Sequence, residues 1–147
     1  MIVEIDVSEA VAGFEAMLHR VTDLRPMFEE VGAWQEQKTV RRIEETKLTP
    51  HGALWAEWQL GTFKKRQQKG NVSQGLLWDT GLLLNSFSWE TDESGVEIGT
   101  TNEIAPWLQD GTSKMVARPF MLNEGEELPP EDIAELEMIT NLYLRGD

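Results

Sequence analysis

Apolar residues recur at Val7, Val11, Phe14, Leu18 and Val21. At 100° per residue all five fall within about 80° of one another, the mark of an amphipathic helix over residues 7–21. Asp6 and Glu9 have the spacing of a capping box just ahead of it. The apolar face of such a helix needs a partner. Thr22-Asp23-Leu24-Arg25-Pro26 can stop this helix and start another, because Thr or Asp caps and proline is tolerated in a first turn. From Met27 to Lys47 the helical rhythm continues, with a stripe that changes sides. Met27, Val31 and Trp34 share one face, whereas Val40 and Ile43 lie roughly opposite. Two surfaces then need cover. Either the helix breaks near residues 36–39, or it is sandwiched inside its own domain, or one half meets a neighbouring subunit.

Residues 48–60 hold Pro50, Gly52, Trp55 and Trp58 and read as an irregular connection pinned by aromatic residues. Lys64, Lys65, Arg66 and Lys69 form a local positive patch before the Gly70-Asn71 turn, either a solvated helix face or a contact for nucleic acid or an acidic partner. Beyond Gly75 the period shortens: Phe87 and Trp89 alternate, Asp92-Glu93-Ser94-Gly95 is a strong turn signal, and Val96 and Ile98 alternate again. Residues 85–100 are therefore predicted to form a β-hairpin. Two strands alone make a marginal sheet. The expected third is residues 114–122, with Pro119 arguing for an edge position. A short helix or turn over residues 103–110 ends at Gly111. After an acidic loop, Pro129-Pro130 opens a last helix that sets Ile133, Leu136, Thr140 and Tyr143 on one side and stops at Gly146. The predicted architecture is α+β: one domain over residues 1–147, with N-terminal helices, a small antiparallel sheet containing the hairpin, and a C-terminal helix.

Composition narrows the function. The 147 residues carry 26 acidic and 13 basic side chains, a formal charge of −13. Residues 1–70 hold 10 basic and 11 acidic groups, net −1, and residues 71–147 hold 3 and 15, net −12. Gripping a nucleic-acid backbone takes clustered Lys and Arg, so that activity is disfavoured, while passage of DNA along an acidic wall is not. Without cysteine there is no disulfide framework or thiolate nucleophile, and His19 and His51 alone cannot make a histidine metal cluster. No signal peptide or membrane span is expected, which points to a soluble protein made in the cytoplasm.

No catalytic, cofactor or metal site emerges. The carboxylates lie in a turn, a loop and along a terminal helix, without calcium-loop spacing, and read as a solvated acidic surface. Ser86 and Ser88 lack a nucleophile signature, and Thr80-Gly81 has no glycine run to cradle phosphate. His51 sits in a loop beside Pro50 and reads as structural. Six tryptophans and a helix with two apolar faces suit a subunit that packs against copies of itself.

A series of short motifs is more specific. Asp23-Leu24-Arg25-Pro26-Met27 comes first, then Pro50-x-Gly52-x-x-Trp55, then Leu77-x-x-Thr80-Gly81-x-Leu83-x-x-Ser86. Gly95-Val96-Glu97-Ile98-Gly99-Thr100, Ala105-x-x-x-Gln109-x-Gly111 and Ala117-Arg118-Pro119-Phe120-Met121 follow. In this order they resemble the tail-completion or virion-morphogenesis proteins of contractile-tailed bacteriophages and prophages, over roughly residues 7–125. Ile104 stands where the family often has an aromatic residue, and Leu48 where it often has Phe.

The resemblance implies a non-enzymatic structural protein of the virion, without cofactor, assembled in the host cytoplasm. It would act in tail completion at the head-proximal end of the tail or at the head-tail neck. Its implied partners are copies of itself, a hexameric ring among the forms considered, with tail-tube, terminator or head-connector proteins and with DNA nearby in a channel. The interface or structural candidates are Trp34, Val40, Ile43, Trp55, Trp58 and Trp89, the basic Lys64, Lys65 and Arg66, and Gly81, Gln109, Gly111, Arg118 and Phe120. Gly81 and Gly99 are expected where backbone geometry or close approach excludes a side chain. Arg118 is expected to form a forked ion pair with an acidic side chain, inside the subunit or across a boundary. The runner-up is an intracellular regulatory or chaperone-like binding module.

Overall fold

The computed structural model describes residues 8–146. Five α-helices and one hairpin follow one another: α1 (Ser8–Thr22), α2 (Arg25–Arg41), α3 (Leu60–Lys69), β1 (Phe87–Thr91), β2 (Val96–Thr100), α4 (Ala105–Asp110) and α5 (Pro130–Arg145). The predicted α+β order is present. Asp6 and Val7, part of the expected cap and stripe of the first helix, lie outside the described residues.

The switching stripe of the second helix is resolved without a break at residues 36–39. α2 runs on into one π-helical turn, Arg42–Thr46, and stops where Lys47 takes a left-handed φ of 57°. A π turn adds a residue per turn and rotates the stripe. Early on, α2 lays Met27 and Gly32 inward and packs on both strands; after Thr39, Ile43 is fully buried in the main core. That core joins Ile43, Trp55, Leu76, Leu83, Phe87, Ala105 and Phe120, with Val40 and Trp58 packed at its margin. Phe87 and Phe120 meet edge to face at 5.7 Å between centroids.

The hairpin pairs Phe87 with Thr100 through Thr91 with Val96. Its turn is tied by Asp92 Oδ1, which accepts from the Ser94 and Gly95 amides at 2.7 and 2.9 Å and from the Ser94 hydroxyl at 2.6 Å. These bonds hold the exposed Asp92 carboxyl below the ordinary range.

Among the described residues the sheet has two strands, and the expected third strand over 114–122 is not there. A single bridge joins Thr112 and Met115; beyond it the Arg118 amide donates to Leu108 O at 2.9 Å, Pro119 has no amide hydrogen, and the Phe120 and Met121 amides go to a side chain on α4. The amides of Arg118, Phe120 and Met121, with Pro119 between them, therefore contribute nothing to a ladder. The hairpin is supported instead by α2, whose Gly32 lets Trp89 approach closely. Along α5, Asp132 and Ile139 face inward with Leu136, Thr140 and Tyr143 half-buried, but Ile133 is exposed. Asp132 takes the first inward place on that face, so Ile133 is turned outward.

Candidate assembly surface

The motif residues converge on the segment that replaces the third strand. Gly111, at φ 76°, lets the chain double back: a Cβ there would stand 2.7 Å from both Ala117 N and Met115 O. This returns residues 117–123 past α4, where the Gln109 amide takes hold of them. Gln109 Oε1 accepts from the Phe120 and Met121 amides at 3.0 and 3.2 Å, and Nε2 donates to Met121 O at 2.7 Å and to Asn123 Oδ1 at 3.2 Å. A carboxamide both donates and accepts, so one side chain serves as a short piece of strand.

On the other side of the segment, Arg118 is buried and turned into its own chain. Nε and Nη2 donate to the carbonyls of Ala56 and Glu57 at 2.8 and 2.9 Å. The expected fork is present, but its acceptors are backbone carbonyls and not an acidic side chain. Burial lowers the Arg118 pKa from its usual value, with the Glu57 charge opposing. Trp55 is buried in the core, and its indole N–H reaches Pro119 O at 2.8 Å. Arg42, which sequence reasoning passed over, is buried too and donates to Phe120 O at 2.6 Å. Three of four successive carbonyls or side chains in 118–121 are thus tied to the loop after α2 or to the π turn. Three of the six motifs, at 50–55, 105–111 and 117–121, thus build one scaffold.

The other candidates lie outside it. Trp34 is half-buried on α2 with the Lys38 ammonium 5.2 Å from its ring centre, and Lys38 pairs with the fully buried Asp132 of α5. Burial and then the Arg42 charge lower the Lys38 pKa. Asp132 was grouped with the solvated acids; its place four residues before Leu136 and seven before Ile139 was the available signal that it faces inward. Trp58 stacks at a tilt on Phe63, with the Arg66 guanidinium 5.0 Å from its ring. Arg66 also donates to Trp78 O at 2.7 Å and lies 3.8 Å from Asp79, so it is turned into its own chain, while Lys64 and Lys65 are exposed. Gly81 takes φ 80°, as expected. Gly99 takes neither a left-handed φ nor a close neighbour, so the reason anticipated for it does not hold.

An open cleft of about 530 Å³ runs along the outer side of β2, lined by Thr100, Asn102, Pro106, Gln109, Met121 and Asn123. Its lining offers amides and hydroxyls together with the carboxylates of Glu103, Asp110 and Glu124. Among the described residues there is no group of three or more His, Cys, Asp or Glu that could hold a metal ion. His51 lies 3.2 Å from Glu126 at the surface.

The model of the phage virion morphogenesis family matches residues 5–135, which take in α1 to α4, the hairpin, the whole of this scaffold and the start of α5. The chain belongs to the phage virion morphogenesis family. No curated protein and no solved structure gives a significant match. Family membership gives the protein a role in building phage virions, and Gln109, Gly111, Arg118 and Trp55 shape the fold that does so. Several large apolar side chains face outward, with Leu54 at 80%, Phe14 at 72% and Trp107 at 58% exposure. No helix among the described residues is long and apolar enough to cross a membrane.

Proposed function

We propose that this chain is a structural subunit of tail completion, acting at the head-proximal end of the tail or at the head-tail neck as a closed ring of identical copies, six in the simplest case. The observation that carries this reading is the family match over residues 5–135 of the 147. The disposition of side chains supports it. The polar motif residues spend their hydrogen bonds inside the subunit, which leaves apolar surface, not reactive groups, to meet partners. Tail-tube, terminator or head-connector proteins are the partners this role calls for.

Charge fits the same role. The net −12 of residues 71–147 suits the wall of a passage through which DNA moves without being held, and the exposed Lys64 and Lys65 suit an acidic neighbouring subunit. The testing experiment is deletion of the gene in its phage, followed by particle imaging. Filled heads and finished tails that stay unjoined, restored by adding the purified protein, are the expected outcome. Normal joining without the protein, or a stable complex with a non-virion protein and absence from particles, overturns the reading in favour of a regulatory or chaperone-like module.

A further inference from the structure

α1 stands apart from the body of the subunit. None of its residues is buried. It is held at its C-terminal end, where Arg20 Nη1 donates to Leu144 O at 3.0 Å and the Tyr143 hydroxyl donates to Asp23 O. A helix this short is marginal in water unless its apolar face is covered. Phe14 and Leu18 are 72% and 65% exposed. With Val11, Met17 and Val21 they leave on the order of 500 Å² of apolar surface bare, the size of patch that marks an interaction site, and more than half of the roughly 800 Å² each partner gives to a stable interface.

The spacing of the patch says what fits it. Val11, Phe14, Leu18 and Val21 step by three, four and three residues, the alternation of the a and d positions of a coiled coil, so the complementary surface is another helix. The positions flanking that seam are Ala10, Glu15, Met17 and Thr22, with one charge among them, so an identical helix meets no row of like charges. Elsewhere two copies repel: the protein carries −13 overall, whereas α1 has Glu9 and Glu15 against Arg20, net −1 with His19 neutral.

We infer that α1 is the self-association seam of this protein, packing its Val11–Val21 stripe against α1 of a second copy. The inference rests on the reading of the chain as a self-associating subunit and names a surface that pairs two copies; a stripe packed on its own copy is a two-fold contact, so a ring uses a second, different surface as well. Sedimentation equilibrium of the purified full chain tests it, with Leu18→Asp and Phe14→Asp on the seam and Ala16→Asp on the opposite side of the helix. The expected result is an oligomer for wild type and Ala16→Asp, and at least a tenfold weaker association for the two seam variants, with unchanged thermal unfolding of the body. An oligomer that persists in Leu18→Asp overturns the seam and leaves the ring reading standing. Equal dissociation of Ala16→Asp, or unfolding of the monomer by Leu18→Asp, also overturns it. A wild-type monomer at every concentration overturns it as well, and presence of the protein in particles then decides the ring reading separately.

Discussion

The indole of Trp89 occupies the space that a side chain on residue 32 would need: a Cβ built on Gly32 stands 2.5 Å from Cδ2 and 2.7 Å from Cε3 of that ring. This contact seats the hairpin on α2 and gives a two-stranded sheet the cover it lacks on its own. In an open helix, Gly to Ala gains about 1 kcal/mol. Here overpacking opposes that gain, and Gly32→Ala is expected to lower the unfolding free energy by about 1–3 kcal/mol. Gly13→Ala on α1, where nothing lies within 4 Å, is expected to be neutral or stabilising. Urea unfolding followed by tryptophan fluorescence separates the two; an unperturbed Gly32→Ala would show that Trp89 moves away freely.

Arg118 is expected to behave as a structural arginine. Its guanidinium serves two backbone carbonyls, and charged hydrogen bonds are worth about 1.5–3 kcal/mol each. Arg118→Met should lower the unfolding free energy by about 2–4 kcal/mol, and Arg118→Lys should recover part of it, because an ammonium cannot span both acceptors with a planar fork. With the variants kept in the folded range, oligomer mass should match wild type. A folded Arg118→Met that loses only its self-association would place the residue at a boundary between subunits.

The hairpin turn carries an acid sensitivity. Asp92 is held below its ordinary pKa by its bonds to Ser94 and Gly95. A carboxyl depressed on folding contributes stability that is present above its unfolded value, about 3.9, and lost as pH falls from there through the folded value. Wild type should therefore lose more stability than Asp92→Asn between about pH 4 and pH 2. Equal slopes in acid unfolding curves would mean that the turn bonds do not couple to folding.

Periodicity made the helical ends and the hairpin legible, because each rests on a local pattern of many residues. Ser8–Thr22, Pro130–Arg145 and the pairing of Phe87 with Thr100 lie close to the expected bounds. The third strand failed for a reason no local pattern shows: Gln109, eleven residues away, takes the Phe120 amide that a ladder would have used. The inward turn of Arg118 and Arg42 was hidden likewise, since their acceptors are backbone carbonyls at Ala56, Glu57 and Phe120, and a carbonyl leaves no mark in a sequence. The stripe of α1 lies on a helix as expected, but Val11, Phe14, Leu18 and Val21 are exposed, so the cover its face calls for is not among the described residues.

Lys38 and Asp132 hold α2 to α5. Asp132 is fully buried, so its carboxylate depends on the ammonium it faces; burial and then the Arg42 charge disfavour that ammonium, whereas Glu131 and Glu135 favour it. Removing one partner from such a pair strands a buried charge and is expected to remove about 3–5 kcal/mol of stability. Lys38→Met should do so, and the double variant Lys38→Met with Asp132→Leu should recover most of the loss, since an apolar pair of similar size has no charge to desolvate. A double-mutant cycle in urea measures the coupling. If the double variant is as unstable as the sum of the singles, the two side chains act independently, and the docking of α5 must rest on Ile139 and the contacts at Tyr143 instead.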